Sequence, residues 1–172
     1  MDIFIDTISD TATILLFDKN RQIIDQIKWM VKGNESSTLI PQIDKLLKIN
    51  NINYNDLENI VVVNGPWSFT WVRTTVLAAN SINYIINENM TAISYFDLFN
   101  TYPIVKTSSK RDCFVKKDKN SKIEIITNEV LESEWIDIKT IEKVNYASII
   151  KEIKLDNKKQ IEALYIKKPN IS

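Results

Sequence analysis

Apolar positions in the first thirty residues fall into three short runs. Residues 2–7 carry a buried-strand pattern, while Thr11 to Asp18 and Gln22 to Lys28 flank the polar turn Asp18-Lys19-Asn20-Arg21. Two apolar runs around a polar turn predict a β-hairpin, so the chain opens as three strands, read as antiparallel. Leu39, Ile43, Leu46 and Leu47 then recur at helical spacing, with Ser36 or Ser37 as N-cap and Asn50-Asn51 as the close. Tyr54 to Leu57 reads as a short turn. Ile60 to Val63 is a continuous β-branched run, the pattern of a strand covered on both faces, and Gly65-Pro66 ends it.

The next helix is predicted from Ser68 to Asn87. It carries Phe69, Val72, Val76 and Ala79 on one side, Trp71, Ala78, Ile82 and Ile85 on another, and Leu77 and Tyr84 besides. A surface helix shows a single apolar stripe. This one must be covered on more than one side, either by the rest of its own domain or by its own sheet and a partner protein. Beyond it the pattern predicts a strand at 91–94, a short helix at 95–101, strands at 104–107, 112–117, 122–127 and 135–138, a helix at 146–153 and a last strand at 163–167. The order βββαβα followed by a smaller mixed half predicts an α/β fold with a mixed sheet, divided into residues 1–100 and 101–172.

Composition narrows the chemistry. Apolar residues make up 44% of the 172, enough for a core, and 22 basic residues balance 22 acidic ones. That balance argues against a large nucleic-acid-binding face. One stretch is locally basic (Lys106, Lys110, Arg111, Lys116, Lys117, Lys119, Lys122) and reads either as a solvated hairpin face or as an RNA contact. Cys113 stands alone, so no disulfide forms within the chain. No run approaches the ~20 apolar residues of a membrane span, and the acidic start Met1 to Asp6 is unlike a signal peptide, which predicts a cytoplasmic, non-membrane protein. Histidine is absent, which excludes a Ser-His-Asp unit and any histidine-ligated metal.

The most informative stretch is Asn64-Gly65-Pro66-Trp67-Ser68-Phe69-Thr70-Trp71-Val72-Arg73. It reads as a strand end, a tight turn, a hydroxyl N-cap on Ser68 and a helix whose first amides could hold an anion. The stretch resembles the signature of the TsaB (YeaZ) family, Gly-Pro-Gly-Ser-Phe-Thr-Gly followed by an apolar residue and Arg. Gly65, Pro66, Ser68, Phe69, Thr70 and Arg73 match it, and Asp6-Thr7 matches the family's first strand end. Leu39-Ile40-Pro41 through Leu46-Leu47, Tyr54 through Ile60, and Ala163 through Pro169 resemble further family segments. The resemblance is strong over residues 1–100 and weak over 103–160.

Trp67 and Trp71 stand where the family has glycine, and the chain has two glycines where ~7% is usual. We read these tryptophans as UGA codons translated as glycine in the source organism, with Trp29 and Trp135 as further cases. Drift in a degenerate member is the alternative, and UGG codons at both positions would end the recoding idea. The family's His-Ser pair before the first helix is also replaced, by Asn34-Glu35-Ser36-Ser37.

The resemblance implies an actin/sugar-kinase (ASKHA)-like fold with mixed sheets and, here, a reduced second lobe. It implies a non-catalytic partner subunit in synthesis of N6-threonylcarbamoyladenosine on tRNA, binding and activating a TsaD-like catalytic subunit. No catalytic or metal-binding residue is expected. The residues expected to bind the partner are Leu39, Ile43, Leu46, Leu47, Thr70, Arg73, Val76 and Leu77. Further implied partners are a TsaE-like ATPase, a second copy of the chain, and tRNA indirectly. No cofactor of its own is expected, beyond weak ATP or ADP binding through the partner complex. Two rivals stand: an active kinase of the same fold starting from Asp6, and a self-associating domain with no tRNA role. Without histidine or a G-x-S-x-G elbow, a protease is disfavoured.

Overall fold

The first strand, β1 (Asp2–Asp6), is buried at all five positions and lies at the centre of the molecule. The computed structural model describes residues 1–30, 35–133 and 144–166. β1 pairs antiparallel with β2 (Thr11–Phe17) and parallel with β4 (Asn59–Val63); β3 (Ile23–Met30) and β5 (Asn89–Ile93) lie outside them in the order β3-β2-β1-β4-β5. The sheet is therefore mixed, as the element order predicted. The alternation of burial along β3 marks it as a half-exposed edge, whereas β4 is buried along Ile60 to Val63 as its β-branched run required.

Two helices follow the strands they leave. α1 (Glu35–Ile49) and α2 (Phe69–Ile86) pack against each other, α1 also meeting β2 and β3 and α2 meeting β4. With α1 described from Glu35, Ser36 and Ser37 fall within its first turn and not at the N-cap position that the sequence suggested. Leu39, Ile43, Leu46 and Leu47 are each at most 2% exposed. Their 3.6-residue spacing places them on one inward face.

A second sheet, β6 (Ile104–Thr107), β7 (Asp112–Lys116) and β8 (Glu124–Thr127), is antiparallel in the order β6-β7-β8. Its two faces have different neighbours. Val105, Cys113, Val115, Ile126 and Leu131 form a small core of their own, while Ile104 and Phe114 belong to the main core with β1 and β4. A short helix not foreseen from sequence, α3 (Asn128–Ser133), follows β8, and α4 (Tyr146–Glu152) packs on the first sheet. Phe4 and Asp6, two apart on β1 and so on one face, both meet Tyr146 of α4, the Phe4 ring edge-on at 5.6 Å.

The expected strand at 163–167 is absent over 163–166, and Lys167 lies outside the described residues, as does the expected strand at 135–138 with Trp135. The segment 156–166 is instead an irregular strap held by side chains and by a single backbone bridge to β5, Met90 N donating to the Lys158 carbonyl at 2.8 Å. Asp156 N donates to Thr91 Oγ1 (2.8 Å), Asn83 Nδ2 to the Lys159 carbonyl (2.9 Å), and Asn80 both gives to and takes from the Ile161 backbone (2.9 and 3.1 Å). Side-chain amides thus satisfy backbone groups that a strand ladder would otherwise pair.

Candidate functional site

The turn before α2 is fixed by a close approach of backbone. Gly65 has φ +130°, a conformation that side chains resist, and a Cβ placed there would lie 2.6 Å from the carbonyl oxygen of Leu164. The strap holds that carbonyl in place: Leu164 N donates to the Asn64 carbonyl at 2.7 Å, and Asn64 Nδ2 to the Glu162 carbonyl at 2.8 Å. Ser68 occupies the N-cap position as expected, but its side chain makes no capping bond. Its carbonyl accepts from Trp71 N and Val72 N, both at 3.1 Å, so the helix starts through backbone alone. Among the described residues positive φ is taken by Arg21, Asn51, Asn87 and Gly65, and not by Trp67 or Trp71. Neither tryptophan position demands a glycine backbone in this structure.

Asp6, the strand-end carboxylate, is 0% exposed and surrounded by donors of its own chain. Oδ1 accepts from Ile8 N (2.8 Å) and Ser9 N (3.0 Å), and Oδ2 from Ser9 Oγ (2.6 Å) and Tyr146 Oη (2.8 Å). With four donors in place, Asp6 acts as a structural anchor that binds the turn after β1 to α4. Burial beside Asp6 pushes the Tyr146 phenol above its ordinary range, which keeps it a donor. Thr7 and Thr75 pair hydroxyl to hydroxyl in the same buried layer, joining the end of β1 to α2.

Lys106 is the exception to the reading of the basic stretch as a solvated face, since Lys110, Arg111, Lys117, Lys119 and Lys122 are exposed. It is 3% exposed, with Nζ 4.0 Å from the Trp67 ring centre, 4.8 Å from that of Tyr95 and 3.3 Å from Asp10. Burial lowers its amine below the ordinary lysine range, partly opposed by Asp10 and Asp6. Strand alternation was the usable hint: it puts residue 106 on the same face of β6 as Ile104, the face turned to the main core.

α2 leaves an apolar face uncovered. Val72, Thr75, Val76, Ala79, Ile82 and Asn83 point inward, while Leu77 is 62% exposed, Tyr84 91% and Ile85 79%. At its N-terminal end Phe69 (38% exposed) stacks on Tyr165 at 4.9 Å, and the exposed Arg73 lies over the same ring at 5.9 Å. Of the residues expected to bind a partner, Thr70, Arg73 and Leu77 are therefore exposed on one helix. Leu39, Ile43, Leu46, Leu47 and Val76 are not available: the chain encloses them in its own core. The expectation that both helices offer their apolar stripes outward is corrected accordingly. Of its described large apolar side chains α1 exposes Ile40 (36%) and Ile49 (59%), and the sequence reading left Tyr84 and Ile85 out of the candidate surface.

Among the described residues no cluster of His, Cys, Asp and Glu could hold a metal, and no helix is long and apolar enough to cross a membrane.

Three comparisons set this geometry beside known proteins. No family model matches the chain. A curated relative from Buchnera aphidicola subsp. Baizongia pistaciae, "tRNA threonylcarbamoyladenosine biosynthesis protein TsaB", is 32% identical over 82 residues, 48% of this chain and 36% of the relative. The chain thus spans about a third of that relative's length. Among solved structures, YeaZ from Pseudomonas aeruginosa superposes with TM-score 0.59 at 12% identity, covering 73% of this chain and 64% of that one. A second crystal structure, titled as an uncharacterized protein with similarity to peptidase YEAZ from Pseudomonas aeruginosa, gives TM-score 0.60 with the same identity and coverage. The fold is a mixed α/β one shared with these YeaZ structures, and the resemblance to the TsaB (YeaZ) family read from the sequence is borne out.

Proposed function

We propose that this chain, similar to TsaB in sequence and to YeaZ in fold, is a non-catalytic subunit in the synthesis of threonylcarbamoyladenosine on tRNA, docking a TsaD-like catalytic partner through the outward face of α2. The observation that carries this reading is the exposure of Leu77, Tyr84 and Ile85 on a single helix whose opposite face is already packed. Exposed apolar residues in a contiguous patch mark interaction sites. Aromatic and arginine side chains, here Phe69, Tyr84, Tyr165 and Arg73, are the types that anchor interfaces.

A scaffolding role agrees with the state of Asp6. In an active kinase of this fold that carboxylate would serve a metal-bound nucleotide; here it accepts four hydrogen bonds from the chain itself and is fully buried. Releasing it would leave buried donors unpaired, at about 1–3 kcal/mol each.

Two results test the reading. The chain should co-purify with the TsaD-like protein of its source organism, and the modified nucleoside should form on tRNA only when both are present. Full modification without this chain, or ATP turnover by the chain alone, would contradict it. A homodimer without any TsaD-like partner would favour the self-associating alternative.

A further inference from the structure

Lys106 poses a problem that the docking reading does not address. An ammonium group that is 3% exposed has lost its water, yet its carboxylate partner Asp10 is 84% exposed and sits at one side, 3.3 Å away. A buried charge without full compensation is costly. The remaining compensation comes from two aromatic faces, Trp67 at 4.0 Å and Tyr95 at 4.8 Å, both well inside the ~6 Å over which a ring quadrupole attracts a cation. Two ring walls and one carboxylate are the parts of a cation cage.

The parts come from separate elements. Trp67 belongs to the turn before α2, which the Gly65 carbonyl ties to Tyr95 N at 2.7 Å. Asp10 lies between β1 and β2, and Lys106 arrives from β6 of the second sheet. Its register partner on β7 is Phe114, a main-core residue, so Lys106 stands on the face that meets the first sheet.

We propose that Trp67, Tyr95 and Asp10 form a cage for primary alkylammonium groups, and that Lys106 is its resident guest, latching the second sheet onto the turn from which α2 starts. The cage rests on a genuine tryptophan at residue 67, so it and the reading of that position as a recoded glycine exclude one another. With a glycine there, one wall is gone and the lysine loses its nearest ring.

Chemical rescue tests this. Lys106→Ala deletes a propylammonium group, so propylammonium chloride is the matching probe. The variant should melt below the wild type, and its melting temperature should rise saturably with propylammonium, beyond what equal concentrations of sodium chloride or 1-propanol produce. Adding Trp67→Gly should abolish that rise. An equal rise with 1-propanol would show a void being filled and not a cation being held. A rise that survives loss of Trp67 would overturn the cage. Should Lys106→Ala fail to fold, Lys106→Met keeps nearly the same volume without the charge and Trp67→Leu removes the ring face, and the two changes together should be less damaging than the sum of the singles. Strict additivity would overturn the proposal.

Discussion

Single residues carry much of this architecture, and two make sharp predictions. Gly65 sits at φ +130° with the Leu164 carbonyl where a Cβ would go, so Gly65→Ala must move the strap or the turn. Strain of this kind costs about 1–3 kcal/mol, read as a lower midpoint in urea unfolding. Asp6→Ala should cost at least as much, about 3 kcal/mol, because it strands Tyr146, Ser9 and two backbone amides together. A variant at either position that melts with the wild type would contradict these roles. Gly65 and Asp6 were both legible as motif positions, but their work was not. The long-range partners, Leu164 and Tyr146, lie 99 and 140 positions away in the sequence, and no local pattern encodes such contacts.

At the scale of elements, local periodicity was a good guide where one face packs and one does not. The hairpin β2-β3, the β-branched β4 and the helical spacing of the α1 stripe follow directly from it. It failed where side chains replace a ladder: the strand expected at 163–167 falls in the strap 156–166, which is bonded by the side chains of Asn64, Asn80, Asn83 and Thr91 and meets β5 in a single backbone bridge, Met90 to Lys158. It also could not tell which apolar helix residues the chain itself would enclose, and so placed Leu39, Ile43, Leu46, Leu47 and Val76 on the wrong side. The two helices therefore separate by mutation. Ile43→Ala removes enclosed volume and should destabilise the fold by about 2–5 kcal/mol in denaturant melts. Leu77→Glu and Ile85→Lys replace exposed side chains and should leave stability within about 0.5 kcal/mol.

For the molecule as a whole, burial of phenols sets the alkaline limit. Burial raises the phenols of Tyr54, Tyr95, Tyr102 and Tyr146 above their ordinary value, and nearby carboxylates add to each. Such groups hold protons more tightly folded than unfolded. Their stabilisation is complete below the unfolded value near ~10 and is lost as pH rises through that value toward the folded ones. Lys106 works the other way: its lowered folded value favours the folded chain as pH climbs toward ~10.4. One lysine opposes four tyrosines, so the melting temperature should fall above about pH 10. Tyr95→Phe, which keeps the ring over Lys106, should make that fall shallower; an unchanged slope would remove Tyr95 from the account.

On the proposed reading α2 grips a partner with its outward face while its inner face holds the sheet. Titration calorimetry of the TsaD-like subunit against wild-type chain and against the Leu77→Glu/Ile85→Lys double variant tests it most directly. Measurable binding is expected of the wild type, and at least ~100-fold weaker binding of a variant that melts at the same temperature, about 2.7 kcal/mol of interface energy. Equal affinity for the two proteins would place the interface elsewhere.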